Sequence, residues 1–238
     1  MNVIEVEHMF KRFGRFVANN DLNFSVSQGE IFGFLGANGA GKTTAIKILC
    51  GLSKPSSGKI RVAGYDVYTQ TEQIKRSIGY MSQKFSLYDD LTIAENILFY
   101  GGIYGLSKKM LKARINEIND RFGLKEFENK LISTLPLGWR QKLSFSIAML
   151  HKPKLVFLDE PTSGVDPVTR RQFWELIYEA AAAGTTIFIT THYMDEAEYC
   201  DRVTIMHEGD IVALDTPEDL KKRYGVKTIY DVFLRITR

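Results

Sequence analysis

The sequence predicts an α/β fold with a mixed, mainly parallel sheet, an antiparallel β layer and a helical subdomain. Residues 155–158 and 186–189 are continuous apolar runs, as parallel strands buried on both faces are. A helical pattern over residues 168–183 lies between these runs, so the three segments predict a βαβ unit. The third observation is a change after residue 83, where apolar residues recur at helical spacing among charged ones.

The antiparallel layer is predicted from the first part of the chain. Residues 2–8 alternate loosely, and residues 22–26 alternate cleanly, between apolar and polar side chains, as half-buried strands do. Residues 11–16, which include two aromatic residues, are predicted to form the turn between these strands. A tight turn at residues 27–30 leads into the next strand, and residues 59–62 predict a further short strand.

The glycine-rich segment 36–44 carries the clearest chemical signal. It matches the phosphate-loop pattern G-x-x-x-x-G-K-[ST] at every fixed position, and a strand pattern at 31–35 precedes it. Strand, turn and helix N-terminus together form an anion site, because backbone N–H groups and the helix dipole favour negative charge there. Lys42 is predicted to reach the β and γ phosphates of a nucleotide, and the Thr43 hydroxyl is predicted to bind Mg²⁺. The residues assigned to nucleotide binding are Gly36, Ala37, Asn38, Gly39, Ala40, Gly41, Lys42, Thr43 and Thr44.

Residues 84–150 are predicted to form the helical subdomain, inserted between two parts of a single core domain, 1–83 and 151–238. Apolar residues at helical spacing run from Leu91 to about Phe122, and the glycines between 101 and 105 are expected to divide this stretch into two helices. Residues 139–150 are predicted to be the last helix of the insert.

The last part of the chain predicts a hairpin and a helix. Residues 203–207 and 211–214 are expected to pair, with Gly209 and Asp210 as the turn. Thr216 and the proline after it predict the start of a terminal helix, since threonine caps helices and proline suits their first position.

Two adjacent acids, Asp159 and Glu160, follow the apolar run 155–158. An acid at a strand end, in a chain with a phosphate loop, is predicted to bind Mg²⁺ directly or through water, which is the role of Asp159. Glu160 is placed to orient and deprotonate an attacking water as a general base. The alternative is a pair of ordinary solvated acids, and the phosphate loop favours the catalytic interpretation.

Composition favours an ordinary globular protein. The 238 residues suffice for one large domain with a subdomain, and the net charge of +3 lacks the excess of basic residues that nucleic-acid binding usually shows. No apolar run approaches the about 20 residues needed to cross a bilayer. The acidic, strand-like start predicts no signal peptide, and Cys50 and Cys200 suit a reducing cytosol. The expected location is therefore cytoplasmic.

The run Asp159-Glu160-Pro161-Thr162-Ser163-Gly164-Val165-Asp166-Pro167 resembles the Walker B and D-loop of ATP-binding cassette (ABC) ATPases, and the resemblance extends over almost the whole chain. It implies that Gln83 is the Q-loop glutamine, which touches Mg²⁺ and the attacking water. It implies that His192 is the switch histidine, which contacts the γ-phosphate, and that Asp166 communicates across a dimer. Without the resemblance, Gln83 would be ordinary polar surface and His192 a structural residue.

The resemblance also implies an aromatic residue that stacks on adenine. Phe13 stands at that position, and Phe16 is the alternative. An aromatic residue this close to a strand is otherwise a core residue.

Residues 135–139 depart from the family pattern. The family signature Leu-Ser-Gly-Gly-Gln reads Leu-Pro-Leu-Gly-Trp here, so only Leu135 and Gly138 are kept. In the family this segment caps the γ-phosphate held by the other subunit, and Pro136 supplies neither the hydroxyl nor an N–H group. The variant resembles a branch of exporter-type subunits, which implies variation rather than loss. The residues expected to contact the partner subunit are Leu135, Gly138, Trp139 and Asp166.

The resemblance implies an ATPase that binds ATP and Mg²⁺, pairs with a second ATP-binding cassette as a homodimer or heterodimer, and powers a multi-span membrane permease. Such a subunit is cytoplasmic and peripheral on the inner face of the cell membrane. Residues 231–237 resemble the end of export-type subunits, and no appended regulatory domain follows them, which favours export over import. A tandem protein with two cassettes is an alternative.

The permease is expected to dock beside the Q-loop, on a surface that includes Phe85, Leu87, Tyr88 and residues 98–104. Core packing between insert and sheet is the alternative for these residues. A soluble ABC ATPase acting on nucleic acid or ribosomes is the rival function, although such proteins usually carry coiled-coil insertions or basic linkers. A small-molecule phosphotransferase would not explain Gln83, Asp166 and His192 in this order.

Overall fold

The computed structural model describes residues 1–83, 87–122 and 129–237, so Phe85 lies outside the described residues. Within these ranges the chain forms two β-sheets and eight α-helices. The helices are α1 (Lys42–Leu49), α2 (Thr71–Ser77), α3 (Ile93–Ile103), α4 (Lys108–Phe122), α5 (Leu137–Ala148), α6 (Pro167–Ala182), α7 (Pro217–Tyr224) and α8 (Ile229–Ile236). Short 3₁₀ turns lie at Ile132–Thr134 and Met194–Tyr199. None of the helices in the described part of the chain has the length and apolar character that crossing a membrane requires.

Four strands form the antiparallel layer. They are β1 (Asn2–Phe13), β2 (Phe16–Ser27), β4 (Ser57–Val62) and β5 (Tyr65–Asp66), in the order β2-β1-β4-β5. The predicted turn at residues 11–16 is shorter than expected, because Phe13 pairs with Phe16 and only two residues connect the strands. Gly14, with φ of 58°, supplies the left-handed backbone that such a two-residue turn needs.

The remaining strands form the predicted mixed sheet. They are β3 (Ile31–Gly36), β6 (Ile78–Met81), β7 (Leu155–Asp159), β8 (Thr186–Thr191), β9 (Arg202–His207) and β10 (Asp210–Asp215), in the order β10-β9-β3-β8-β7-β6. Neighbouring strands are parallel except β9 and β10, which form the predicted hairpin. The α/β fold class is therefore confirmed. The sequence analysis did not predict α2, a seven-residue helix in which only Ile74 is buried.

The two sheets pack together through aromatic side chains. The ring centroid of Phe24, on β2, lies 5.5 Å from that of Phe34 and 6.3 Å from that of Phe188. Alternate residues of β3 point to the opposite face of the sheet, where Leu35 packs in a cluster with Phe173 of α6. A third hydrophobic cluster lies between residues 87 and 150, around α3 and α5. The central sheet is thus covered on both faces, as its apolar strands require.

The carboxyl ends of four parallel strands meet at one edge of the central sheet. Leu35 on β3 pairs with Thr191 on β8, and Asp159 on β7 pairs with Thr190. On the far side, Met81 on β6 pairs with Leu158. The segments that follow these strands contain the phosphate loop, Glu160, His192 and Gln83, so the parallel register gathers them at this edge.

Candidate active site

The phosphate loop is held between β2 and β9 by two glycines that no other residue could replace. A Cβ atom on Gly41, where φ is 101°, would lie 2.3 Å from the carbonyl oxygen of Ala18. A Cβ atom on Gly36 would lie 2.6 Å from the carbonyl oxygen of Met206. Asn19 adds a hydrogen bond of 3.1 Å from its side-chain amide to the Gly41 carbonyl. The close approach of both neighbouring strands therefore fixes the path of the loop.

The loop leads directly into α1. Lys42 is the first residue of the helix and Gly41 its N-cap, and among the described residues no side chain caps the first N–H groups of the helix. Those groups are therefore available to an anion. Ala37, Asn38 and Gly39 are exposed beside them. Ala40 is buried, and Thr43 and Thr44 are half-buried at the start of the helix.

The ammonium group of Lys42 is buried inside the loop. It is 4% exposed, and its Nζ donates hydrogen bonds to the carbonyl oxygens of Gly36 at 2.7 Å and Ala37 at 3.0 Å. Burial lowers the pKa of Lys42, and the nearby charge of Glu160 opposes that shift. The cation is held at the point where the phosphates of a nucleotide would meet the helix N-terminus.

Asp159 and Glu160 are buried side by side, and both are bonded to Thr190 on the neighbouring strand. The Thr190 hydroxyl donates to Oδ1 of Asp159 at 2.7 Å, and the backbone N–H of Glu160 donates to the same hydroxyl at 3.0 Å. Burial raises the pKa of Asp159, which the Thr190 hydrogen bond opposes. The sequence analysis missed Thr190. It is one of three threonines in a strand that otherwise contains only Ile and Phe, and its partner depends on the strand register.

The Glu160 carboxylate is the centre of the site. Gln83 donates a hydrogen bond from Nε2 to Oε2 of Glu160 at 3.0 Å, and Nδ1 of His192 lies 3.0 Å from the same oxygen. Nζ of Lys42 lies 3.7 Å from Oε1. The backbone of Glu160 has φ of 49°, a left-handed conformation that is strained for a glutamate. The structure thus brings together all four residues that the sequence analysis named as catalytic.

The predicted magnesium ligands offer three different kinds of oxygen atom. Among the described residues, no group of three or more His, Cys, Asp or Glu side chains is arranged to hold a metal ion. The predicted ligands are not such a group, because only Asp159 offers a carboxylate, whereas Thr43 offers a hydroxyl and Gln83 an amide oxygen. Mg²⁺ prefers such oxygen donors, with one or two carboxylates completed by substrate phosphates and water. The donor set fits that ion.

Phe13 and Phe16 lie opposite each other at the end of the β1–β2 hairpin. They are 55% and 63% exposed, so neither is a core residue. Nζ of Lys11 lies 4.7 Å from the centre of the Phe13 ring. Strand β2 also supplies Ala18 against the phosphate loop, which places the hairpin beside the nucleotide site.

The variant signature segment begins α5 and faces the loop before α6. Pro136 is the N-cap of α5, and a Cβ atom on Gly138 would lie 2.6 Å from Cγ2 of Thr169. Gly138, Trp139 and Asp166 line one cavity of 330 Å³. Leu135, by contrast, is buried in the third hydrophobic cluster, around α3 and α5.

Asp166 has a role within its own chain. Its Oδ1 accepts hydrogen bonds of 3.0 Å from the backbone N–H groups of Val168 and Thr169, and its Oδ2 accepts one of 2.6 Å from the Thr169 hydroxyl. It is therefore the N-cap of α6, with a proline at the first helical position. The family resemblance implies only a contact between subunits for Asp166.

The residues expected to dock a membrane partner divide between core and surface. Leu87 is buried, whereas Tyr88, Leu98, Phe99 and Ile103 are all exposed by more than two fifths. The rings of Tyr88 and Phe99 lie 4.8 Å apart and nearly perpendicular. These four residues form an exposed apolar patch on and beside α3. Leu87 is a core residue instead, as the alternative of core packing predicted.

Comparison with known proteins agrees with these observations. A family model described as ABC transporter matches residues 19–163. The chain is 47% identical over 219 residues to the probable multidrug ABC transporter ATP-binding protein YbhF of Escherichia coli (strain K12), a match that covers 92% of this chain and 38% of that protein. It is 38% identical over 228 residues to the linearmycin resistance ATP-binding protein LnrL of Bacillus subtilis (strain 168), covering 95% of this chain and 73% of that protein. A solved structure of an ATP-binding subunit of an ABC transporter superposes with a TM-score of 0.89 at 30% identity, covering 99% of this chain and 100% of that one.

Proposed function

We propose that this chain, which belongs to the ABC transporter family, binds and hydrolyses ATP and powers a membrane transporter. The single observation that carries the proposal is the environment of Glu160. Its buried carboxylate lies 3.0 Å from Gln83, 3.0 Å from His192 and 3.7 Å from the Lys42 ammonium. A carboxylate held in this way, next to a phosphate loop, can accept a proton from a water molecule that attacks the γ-phosphate.

Each residue of the site has a distinct task in this reaction. Lys42 and the N–H groups at the start of α1 attract the phosphates and neutralise their charge. Thr43, Asp159 and Gln83 would hold Mg²⁺, which supplies charge neutralisation between the phosphates when it is bound. The water oxygen forms a bond to the γ-phosphorus while the bond to the leaving ADP oxygen breaks. Glu160 takes the proton of the water, and His192 orients the Glu160 carboxylate and contacts the γ-phosphate.

A second ATP-binding cassette completes the site in this proposal. Gly138 and Trp139 come from the start of α5 and Asp166 from the start of α6, and they line the same 330 Å³ cavity. Two helix N-termini therefore face one opening, where the positive ends of their dipoles favour an anion. We assign this face to the γ-phosphate that the partner cassette holds. Leu135 supports the segment from within the core.

A membrane permease is the second partner. The apolar patch formed by Tyr88, Leu98, Phe99 and Ile103 supports docking, since exposed apolar patches of this kind mark interaction sites. The names of YbhF and LnrL refer to a multidrug transporter and to antibiotic resistance, and they favour export over import. The chain would then act on the cytoplasmic face of the cell membrane. The net charge of +3 does not favour the rival, an ABC ATPase acting on nucleic acid or ribosomes.

Gel filtration with light scattering tests the proposal on the variant Glu160→Gln, which should bind ATP without consuming it. We expect monomers without nucleotide and dimers with ATP and Mg²⁺, because the bound γ-phosphate is what joins the two cassettes. The same variant with ADP is the control and should remain monomeric. A chain that binds ATP, measured by calorimetry, and yet stays monomeric would overturn the composite site.

A further inference from the structure

A buried carboxylate that the catalytic scheme leaves unused connects the two loops of the active site. Glu196, in the 3₁₀ turn Met194–Tyr199, is 0% exposed. Its Oε1 accepts a hydrogen bond of 2.6 Å from the hydroxyl of Thr162, which is 1% exposed. Thr162 lies two residues after Glu160, and Glu196 lies four residues after His192. This bond therefore ties the loop that carries the general base to the loop that carries the histidine.

Arg170 of α6 supports the same junction from the other side. Its Nε lies 3.7 Å from Oε1 of Glu196, and its guanidinium lies 4.0 Å from the centre of the Tyr193 ring. The Tyr193 ring in turn lies 4.2 Å from the ring of His192. Arg170 also lies 3.4 Å from Asp195. A cation thus balances the buried carboxylate and packs against the residue next to the histidine.

These contacts form a closed path through the two loops. From Glu160 the path follows the chain to Thr162, crosses the hydrogen bond to Glu196, and returns along the second loop to His192. The 3.0 Å contact between His192 and Glu160 closes this path. Burial raises the pKa of Glu196, and neighbouring polar groups together with the charge of Arg170 oppose that rise. Burying a carboxylate is costly unless it is paired, and Thr162 and Arg170 are the partners that offset this cost.

We propose that Glu196 is a positioning residue, which acts through Thr162 to keep His192 within hydrogen-bond distance of Glu160. This inference rests on the proposed ATPase function for its kinetic consequence. A displacement of either loop would separate the histidine from the carboxylate without disturbing the phosphate loop. The expected effect is therefore on turnover and not on the affinity for ATP.

Four variants test this inference. Thr162→Val and Glu196→Met each remove the shared hydrogen bond while keeping side-chain size, and Thr162→Ser keeps the hydroxyl. Glu198→Gln is the matched control, because Glu198 lies in the same 3₁₀ turn but is partly exposed and pairs with Lys221 at 2.6 Å. We expect Thr162→Val and Glu196→Met to lower kcat by between about tenfold and about a hundredfold, as small misplacements of catalytic groups do. The KM for ATP should change by less than about twofold.

The double variant separates positioning from general destabilisation. Glu196→Met removes the bond to Thr162 as well as the contact with Arg170, so Thr162→Val should have no further effect on kcat in the Glu196→Met background. Thr162→Ser should keep most of the activity, and Glu198→Gln should keep all of it. Wild-type kcat in both Thr162→Val and Glu196→Met, or reductions that multiply in the double variant, would overturn the inference. A thermal melt of each variant establishes that it is folded.

A second measurement does not depend on turnover. The ring ¹⁵N signals of His192 in the nucleotide-free chain, assigned by their loss in His192→Ala, report its contact with Glu160. They should shift in Thr162→Val and Glu196→Met and stay in place in Glu198→Gln. If the wild-type chain hydrolyses no ATP, the proposed function fails while these signals still test the coupling. If the wild type is active and the signals do not move in either variant, the role of Glu196 is wrong.

Discussion

Nδ1 of His192 lies 3.0 Å from Oε2 of Glu160, the same oxygen that accepts the hydrogen bond from Gln83. The two partners of this oxygen are 32 and 77 positions away from Glu160 in the chain. A carboxylate group whose oxygen contacts two partners cannot rotate freely, so the proposed general base is oriented before any substrate binds. Pre-oriented groups need little rearrangement during reaction, which is a large part of enzymatic rate enhancement.

Replacing Glu160 by glutamine should abolish most ATP turnover and leave ATP binding nearly intact. The amide keeps the size of the side chain, but it cannot take a proton from water. General-base catalysis contributes about 10²–10⁴-fold, so phosphate release should fall by that factor. Calorimetry should give an ATP affinity close to that of the wild type. Glu175→Gln, on the surface of α6, is the control, and normal hydrolysis by Glu160→Gln would refute the assigned role.

The two exposed phenylalanines of the β1–β2 hairpin should differ in their effect on nucleotide affinity. If Phe13 stacks on adenine, Phe13→Ala should weaken ATP binding by between about fivefold and about 150-fold, since stacking of a base on an aromatic ring contributes about 1–3 kcal/mol. Phe16→Ala is the matched control, because Phe16 is also exposed and lies directly opposite. Equilibrium binding of ATP to both variants decides the assignment. The reverse order of effects would transfer the stacking role to Phe16.

Gly138→Ala should destabilise the fold by about 1–3 kcal/mol, the usual cost of overpacking. The added Cβ would lie 2.6 Å from Cγ2 of Thr169, and the hydrogen bond of that threonine to Asp166 prevents it from rotating away. Thr169→Ser removes the clashing methyl group and keeps the hydroxyl, so it should restore stability in the double variant. Chemical denaturation measures both effects.

Gly102→Ala supplies the control for this prediction. A Cβ atom on Gly102, in α3, would meet no atom within 4 Å. The change should leave stability unaltered or raise it slightly, since alanine favours helix more than glycine does. Equal losses in Gly138→Ala and Gly102→Ala would show that the contact with Thr169 is not the cause.

The Asp166 cap should stabilise α6 in a pH-dependent way. Hydrogen bonds from Thr169 and from backbone N–H groups lower the pKa of Asp166 from its ordinary value of 3.8. Because the folded-state pKa is the lower one, the contribution is complete above that ordinary value and is lost as the pH falls through the folded pKa. Asp166→Ala should therefore lower the thermal midpoint by a few degrees at pH 7, and the difference from wild type should shrink below about pH 4.

Asparagine at this position separates charge from capping. Asp166→Asn can still accept hydrogen bonds from the start of α6 but does not titrate. Its thermal midpoint should stay close to that of the wild type at pH 7. A wild type and an Asp166→Ala variant that differ equally at pH 7 and pH 3 would show that ionisation of Asp166 contributes nothing.

The sequence predicted the parts of the site that depend on fixed spacing. The phosphate loop, the acid pair and the family were all identified from runs of adjacent residues, and the fold and family are confirmed by the structure and the comparisons. Gln83 and His192 carried no signal of their own, and only their position relative to those runs indicated a role. The division of the chain into a core and a helical subdomain stays a prediction.

What the sequence did not predict depends on contacts between distant segments. Thr190 and Glu196 have polar side chains that look ordinary in the sequence, and their partners follow from strand register and loop packing. The capping role of Asp166 is different, because an acid directly before a proline is itself a helix-start signal. The family resemblance implies a contact between subunits for Asp166, and it does not include this local role.

The position of β3 in the central sheet has a consequence for the order in which the protein is made. β3 pairs with β8 on one side and β9 on the other, although β8 begins 155 residues and β9 begins 171 residues after the start of β3. During synthesis the strand that leads into the phosphate loop therefore has two unpaired edges until nearly the whole domain has left the ribosome. Chains that end before residue 186 should bind no ATP and should aggregate through those edges, which sedimentation of truncated chains can measure. The nucleotide can therefore stabilise only a domain in which β8 and β9 have already paired with β3.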